Sequence, residues 1–318
     1  MSGNSVEFDS VRRVLEDVIA GIRKVYIGKE DVVKLAVATL FANGHLLIEG
    51  YPGTGKTLLA KALAKTIGGE YSRVQGHPDI LPSDILGFHI YRLEGSKEFI
   101  RGPVFSNILL IDELNRIPTR SQSALLEAMQ EYQVTIDGVR YPLPRPFMVI
   151  GTQTPLKIGT GVYQVMETLA DRFASSVKSY YNPLEEEEEI IAKSDSIIEL
   201  PINQVVTPGE LSLVISSIQN LVHVDEAIIR YIASIIGYVR NHETVLYGPS
   251  PRASIHLMRM SRVYAIIDNR DYVIPDDVKA LAVPTIAHRV KIREEYEVEG
   301  VRSESIIEEA LDKVPVPK

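Results

Sequence analysis

Cysteine is absent from the 318-residue chain, which removes disulfides, thiolate metal sites and a cysteine nucleophile from consideration. Long apolar runs are missing too. None approaches the roughly 18 uninterrupted residues that a membrane span needs. The opening stretch, MSGNSVEFDSVRRVLEDV, lacks the basic-then-apolar pattern of a secretory leader, so a cytoplasmic protein is expected. Positive charge is in short supply, with 34 Lys and Arg against 42 Asp and Glu and a formal net charge of −8. That balance argues against a general nucleic-acid binder, whose affinity rests on neutralising phosphates, while leaving room for a local basic lining in a pore. Histidines are scattered. HETVL begins at His242 like a zinc helix but places Leu246 where a second His is required, and reads as a surface turn.

What remains is the composition of an ordinary globular protein, long enough that two domains are expected. Up to about Asn182, short β-rich runs alternate with helical stretches. GHLLIEG, NILLIDEL and FMVIGTQT read as strands, the last two buried on both faces, and TLLAKALAKTIG as a helix closed by Gly68-Gly69. Asp137-Gly138 signals a hairpin. This alternation predicts a parallel α/β sheet covered on both sides. Beyond YYNPLEEEEEIIAKS the grammar changes to amphipathic helices that begin at Asp, Ser, Thr or Pro. The five glutamates Glu185–Glu189 suit a helix N-terminus and read as a solvated face. The division expected is an α/β nucleotide domain over 1–183, a small all-α domain over 184–293 and a charged tail over 294–318.

Two motifs carry chemistry. Gly50-Tyr51-Pro52-Gly53-Thr54-Gly55-Lys56-Thr57 fits the phosphate-binding loop, with Leu58 continuing the cofactor-binding run into the helix. Its glycines let backbone N–H groups wrap phosphates, Lys56 reaches the β- and γ-oxygens, and the Thr57 hydroxyl ligates Mg²⁺. Downstream, ILLIDE ends a buried strand in Asp112, expected to hold Mg²⁺ with Thr57, and Glu113, placed to polarise an attacking water. Two carboxylates there are costly to bury without a cation. ATP and Mg²⁺ are the cofactors these motifs imply, and Glu113 beside Asp112 favours hydrolysis over mere binding.

With those residues in place, NILLIDELNRIPTRSQSALLEAMQE, LPSDILG, GTQTP, LADRF, SPRAS and DYVIPDDVKALAVPTIAHRV together resemble the MoxR family of AAA+ ATPases, from about Gly28 to Val290. The resemblance implies a P-loop AAA+ α/β domain, a helical lid and a homo-oligomeric, hexameric ring. It further implies chaperone-like work on a protein client, often alongside von Willebrand factor A domain proteins. It makes Arg172 in LADRF an arginine finger supplied across a subunit boundary. Arg252 in SPRAS becomes a lid sensor that reaches the phosphates and draws the lid inward, and Ile27 and Gly28 line the adenine pocket. Thr154 takes the place of the first sensor, where the family usually has Asn. A hydroxyl offers one donor where an amide offers two and a longer reach, which leaves Gln153 as the alternative and implies slower turnover. GVYQVMETLADRF also lacks the family's prolines and Gln-Leu pair, while keeping Tyr163, Glu167, Asp171, Arg172 and Phe173. Related rings turn the 77–103 insertion and the Asp137-Gly138 hairpin toward the channel, which makes Phe88, His89 and Tyr91 pore candidates, local packing being the alternative. Asn115 and Arg116 follow Glu113, as a relay between subunits or as a capping Asn and a solvent Arg. Two other functions share these motifs: a nucleic-acid translocating motor, and a nucleotide-gated scaffold with weak turnover.

Overall fold

The computed structural model describes residues 2–154, 163–199 and 201–317. Pro155, Gly161 and Val162, which belong to the GTQTP and GVYQ motifs, lie outside the described residues. Strands β1 (Leu46–Gly50) and β2 (Tyr71–Gln75) come first, followed by a hairpin of β3 (Gly87–Tyr91) and β4 (Lys97–Arg101). Then follow β5 (Ile108–Asp112), a second hairpin of β6 (Gln133–Ile136) and β7 (Val139–Pro142), β8 (Met148–Gln153) and β9 (Ser175–Ser179). Five of them form one parallel sheet in the order β2-β5-β8-β1-β9. The α/β class expected from the strand–helix alternation is what forms.

Side-chain alternation divides the sheet between two cores. Leu46, Ile48, Ile108, Leu110, Met148 and Ile150 face one of them, together with α1 (Ser2–Arg23), α2 (Glu30–Phe41) and α3 (Lys56–Thr66). Leu47, Leu109, Ile111 and Val149 face the other, toward the short helices that follow β5. All but the last residue of β5 and of β8 is buried, as expected of central parallel strands.

Both hairpins grow from the second face and lock onto each other. The His89 ring bonds Asp137 Oδ2 at 2.7 Å through Nδ1 and the Tyr141 hydroxyl at 2.9 Å through Nε2, and Phe99 stacks on Tyr141. The His89 side chain is only 3% exposed. It is therefore a clamp between hairpins rather than a pore-lining group, because its β3 neighbours Phe88 and Ile90 take the outward positions of the alternation. Tyr91 is exposed.

The lid consists of helices Pro208–Leu221, Glu226–Arg240, Pro251–Ile267 and Pro275–Ile286, with a two-stranded ribbon of Val245–Tyr247 and Lys291–Ile292. Three of their starts are capped by the residue types read from sequence: Thr207 with Glu210 in a capping box, Asp225, and Ser250. Residues 294–317 of the segment set apart above as a charged tail contribute instead to the lid. The helix Ser303–Lys313 buries Ile306, Ile307 and Ala310 against Glu226–Arg240 and Pro275–Ile286, and the acidic residues that suggested a tail occupy its outer face. The lid shares its core with α1 and α2, which pack against Pro251–Ile267. This seats the lid toward the N-terminal ends of the strands: His288 and Arg289 bond the main chain just before β9.

Candidate functional site

At the C-terminal end of β1 the chain turns through Gly53 (φ +81°) and Gly55 (φ +83°) into α3. Both sit in the left-handed region that glycine tolerates. Gly50 is fixed by a close approach, since a Cβ there would lie 2.5 Å from Ser179 O. Lys56 donates to Gly50 O at 3.1 Å and Tyr51 O at 2.6 Å, so its ammonium lies inside the loop. Burial holds it below the usual lysine range, partly opposed by Asp112 and Glu113. Thr57 and Leu58 open the helix, partly buried, and Pro52 is exposed at the loop's crest. Thr54 is buried, its hydroxyl donating to Tyr51 O. Ile27 and Gly28 come beside this loop: Lys29, the next residue, donates to Thr54 O at 3.1 Å, and Asn182 donates to Ile27 O. A Cβ on Gly28 would strike the Glu186 carboxylate.

Two strands away, β5 delivers the carboxylates. Asp112 accepts from Thr152 Oγ1 at 2.7 Å and pairs with Arg73 at 2.6 Å. Glu113 turns off the strand at φ +57°, a left-handed conformation that costs a non-glycine residue on the order of 1–3 kcal/mol. Its surroundings hold it there. Glu113 N donates to Thr152 Oγ1, Gln75 Nε2 donates to Glu113 Oε2 at 3.0 Å, and Arg116 lies 3.2 Å from the same oxygen. Gln75 and Thr152 had no place in the sequence reading. Only the register that sets Gln75 beside Asp112 across β2 and β5 brings the glutamine within reach.

The end of β8 separates the two sensor alternatives. Gln153 donates to Glu49 Oε2 at 3.0 Å, toward β1. Thr154 is buried, and its Oγ1 has no hydrogen-bond partner among the described residues. Its carbonyl accepts from Asn115 Nδ2 at 3.1 Å; Asn115 is buried, and its Oδ1 has no partner among the described residues. Buried hydroxyls without partners are uncommon, and this one stands at the strand end next to those of β1 and β5.

The arginines lie elsewhere. Asp171 and Arg172 precede β9, whose residues Ser175 to Ser179 pair with Leu46 to Gly50. They sit at the N-terminal ends of the strands, a strand's length of roughly 13 Å from the phosphate loop. Arg172 donates to Thr168 O at 2.5 Å, and its buried Nε has no partner among the described residues. Burial, then the neighbouring Arg252, lowers its pKa below the usual arginine value. Arg252 does not approach the phosphate loop of its own chain, contrary to the expectation that it draws the lid onto it. It pairs with Asp171 Oδ2 at 2.8 Å and donates to Gln130, because the lid is seated at this end of the sheet. Ser250 donates to the other Asp171 oxygen at 2.6 Å.

Arg289 completes the cluster. Its side chain is 1% exposed and lies 3.5 Å from Asp171 Oδ1. It donates to Asp171 O at 3.1 Å and Phe173 O at 2.5 Å, the carbonyls on either side of Arg172. Burial pushes it down to about 10 against the pull of Asp171. The motif ending in IAHRV was visible in sequence, but nothing there assigned Arg289 a partner. No group of three or more metal-binding side chains occurs among the described residues, and His242 bonds Thr244 in a turn.

Phosphate loop and strand-end carboxylates fit a magnesium nucleoside triphosphate. Thr57 and Asp112 supply hard oxygen ligands, and the positive-φ glycines open backbone donors toward the phosphates. Together with the fold they define a P-loop ATPase domain carrying a helical lid. The profile of the ATPase family associated with various cellular activities (AAA) matches residues 45–175, and that of the AAA lid domain matches residues 238–310. The chain is 36% identical to Chaperone MoxR1 of Mycobacterium tuberculosis, over 96% of this chain and 82% of that one. It is 38% identical to the uncharacterized protein YeaC of Bacillus subtilis, over 97% of each. A crystal structure of a candidate ATPase from Cytophaga hutchinsonii superposes with a TM-score of 0.91 at 36% identity, over 100% of this chain and 99% of that one. The chain belongs to the MoxR family of AAA+ ATPases.

Proposed function

We propose that this protein hydrolyses ATP in a homo-oligomeric ring whose nucleotide sites are each shared by two chains, and that the cycle remodels a protein partner. The observation that carries this reading is the separation of Lys56, Asp112 and Glu113 from Arg172 and Arg252 by the length of β9. A phosphate held by Lys56 is out of reach of either arginine of the same chain. A head-to-tail neighbour brings its opposite edge to the site, and closed rings are built from such contacts.

Within that site, Lys56 and the loop amides hold the β- and γ-phosphates, and Thr57 with Asp112 holds Mg²⁺. Mg²⁺ held by Thr57 and Asp112 would supply charge neutralisation for the β- and γ-phosphates. Glu113, steadied by Gln75 and Arg116, orients the attacking water and accepts its proton. The Thr154 hydroxyl is free to donate to that water or to a γ-oxygen. Arg172 and Arg252 from the next chain meet the charge that develops on the γ-phosphoryl group. Work on a client of chaperone type is supported by the likeness to Chaperone MoxR1 and by the AAA lid.

Phosphate release by the purified protein with Mg·ATP, read beside sedimentation velocity, tests the proposal. Wild-type chain should assemble and release phosphate, and Glu113→Gln should assemble while turnover falls by at least about a hundredfold. A Glu113→Gln rate equal to wild type would remove the hydrolytic role and leave a scaffold.

A further inference from the structure

Arg145, Arg259 and Arg262 line a pocket of about 380 Å³ between the lid and the N-terminal ends of β1 and β8, together with Asn43, Ser216 and Gln219. No acidic residue lines it. Among the described residues Arg259 and Arg262 have no ion-pair partner, and Arg262 Nε is buried without a hydrogen bond. Arg145 stacks over the Tyr132 ring at 3.5 Å. Burial, then Arg259, lowers the pKa of Arg262. The helix Pro251–Ile267 that supplies two of these guanidiniums carries no Asp or Glu at all. Arg145 and Arg259 are exposed and Arg262 is partly buried, three like charges around one pocket whose lining supplies no counter-charge, which an anionic partner would complement.

The complementary surface is on the same chain but at the other end of the sheet. Helix Leu184–Ala192 holds Glu185 to Glu189 and buries none of its residues. Glu189 pairs with Lys193, and Glu186 accepts from Asn182. The side chains of Glu185, Glu187 and Glu188 make no hydrogen bond or ion pair among the described residues, and Leu184 and Ile191 are 72% and 68% exposed. Nine residues are fewer than an isolated helix needs to be stable, so a covering partner fits. This helix follows the C-terminal end of β9; Asn182 just ahead of it donates to Ile27 O, and its Glu186 carboxylate lies against Gly28 beside the phosphate loop. The arginine pocket lies where Asn43 and Arg145 lead into the opposite strand ends, so one chain cannot bring the two together.

We infer that the arginine pocket of one copy receives the glutamate helix of the next. Arg259 stands seven residues beyond Arg252, two turns or about 10 Å further along the same helix face. A neighbour that presents its phosphate loop to Arg172 and Arg252 therefore presents its glutamate helix to Arg259 and Arg262. The contact is head-to-tail, each copy offering a pocket on one side and a helix on the other. It rests on the shared-site reading and adds to it a surface that sets which edge meets which.

Charge reversal in the full chain, with Mg·ATP present and assembly followed by sedimentation velocity, tests it. Arg259→Glu with Arg262→Glu, and separately Glu185→Lys with Glu188→Lys, should each raise the concentration for half-assembly by about tenfold or more. An equimolar mixture of the two should return it to within about threefold of wild type, because reversed pockets then meet reversed helices and native meets native. If the glutamates disturb the lid, Arg259→Gln with Arg262→Gln should still raise it by about threefold. Wild-type assembly in all variants overturns the contact and leaves the ring intact. Failure of the mixture to recover also overturns it. So does unaltered assembly accompanied by loss of pyrophosphate binding in calorimetry, which would make the pocket a small-anion site. Wild type that stays monomeric at every concentration overturns the shared site and this contact together.

Discussion

Mixing two inactive variants gives the sharpest check on shared sites. In Lys56→Ala the phosphate grip is lost, and in Arg172→Ala the guanidinium that stands before β9, between two carbonyls bonded by Arg289, is lost. The full length of β9 separates the two positions, so on the shared-site proposal an intact site needs Lys56 from one copy and Arg172 from the next. Random co-assembly at equal amounts then gives both to about a quarter of the sites. If each chain completed its own site, none would be intact. The background is small, since a missing arginine finger costs ~10³–10⁵ in rate, or about 4–7 kcal/mol of barrier. Phosphate release from the mixture should therefore reach about a quarter of the wild-type rate. A second series dilutes wild type with the double variant: activity per chain falls as the square of the wild-type fraction for shared sites and linearly for self-contained ones. Co-assembly confirmed by sedimentation, with mixed activity no higher than the sum of the separate variants, would refute the reasoning.

Three more expectations follow from the geometry. Asp171→Ala leaves the buried Arg289 with carbonyl partners but no counter-charge, and should lower unfolding stability by about 3 kcal/mol in a urea titration; a loss below about 0.5 kcal/mol contradicts the pairing. Thr154→Val removes a buried hydroxyl without a partner among the described residues, so stability should hold or rise by about 1 kcal/mol while phosphate release drops. Unchanged turnover would exclude Thr154 from the chemistry. His45 accepts from Val149 N and donates to Met129 O, and burial pushes its pKa from 6.5 down to about 4. The unfolded chain therefore takes up a proton that the native chain refuses between those values. Stability should be full above pH 6.5 and fall on acidification by up to about 1.4 kcal/mol per unit from this group. Melting temperatures from pH 7 to 5 should show the decline, and His45→Gln should lessen it by this group's share, the buried His256 and His288, whose pKa values burial also lowers, carrying the rest.

The sequence was most legible where local chemistry and position coincide. Gly53, Gly55 and Lys56 need the same loop whatever surrounds them, and ILLID can only be a central strand. Thr207, Ser250 and Asp225 announced their helices because capping is a contact within a few residues. Strand β9, SSVKS, escaped notice because its two fully buried residues are serines. Ser175 packs under α2 through a hydroxyl contact with Thr39 rather than through apolar bulk. Gln75 and Arg289 were hidden for a different reason: each acts on a residue 38 or more positions away, across strand pairing or lid seating. Arg252 was placed in the wrong company on the same account, since a motif names a side chain but not the side on which its domain sits. His89 is a milder case, an outward-looking aromatic in sequence that the second hairpin covers.

Arg289 grips the main chain on both sides of Arg172, so this lid cannot tilt without dragging Arg172 along. In the ring proposed above, expulsion of spent nucleotide from one seat would tug that arginine out of the adjoining seat. Neighbours would then take turns instead of firing at random, with one deeply sunk guanidinium as the coupling rod.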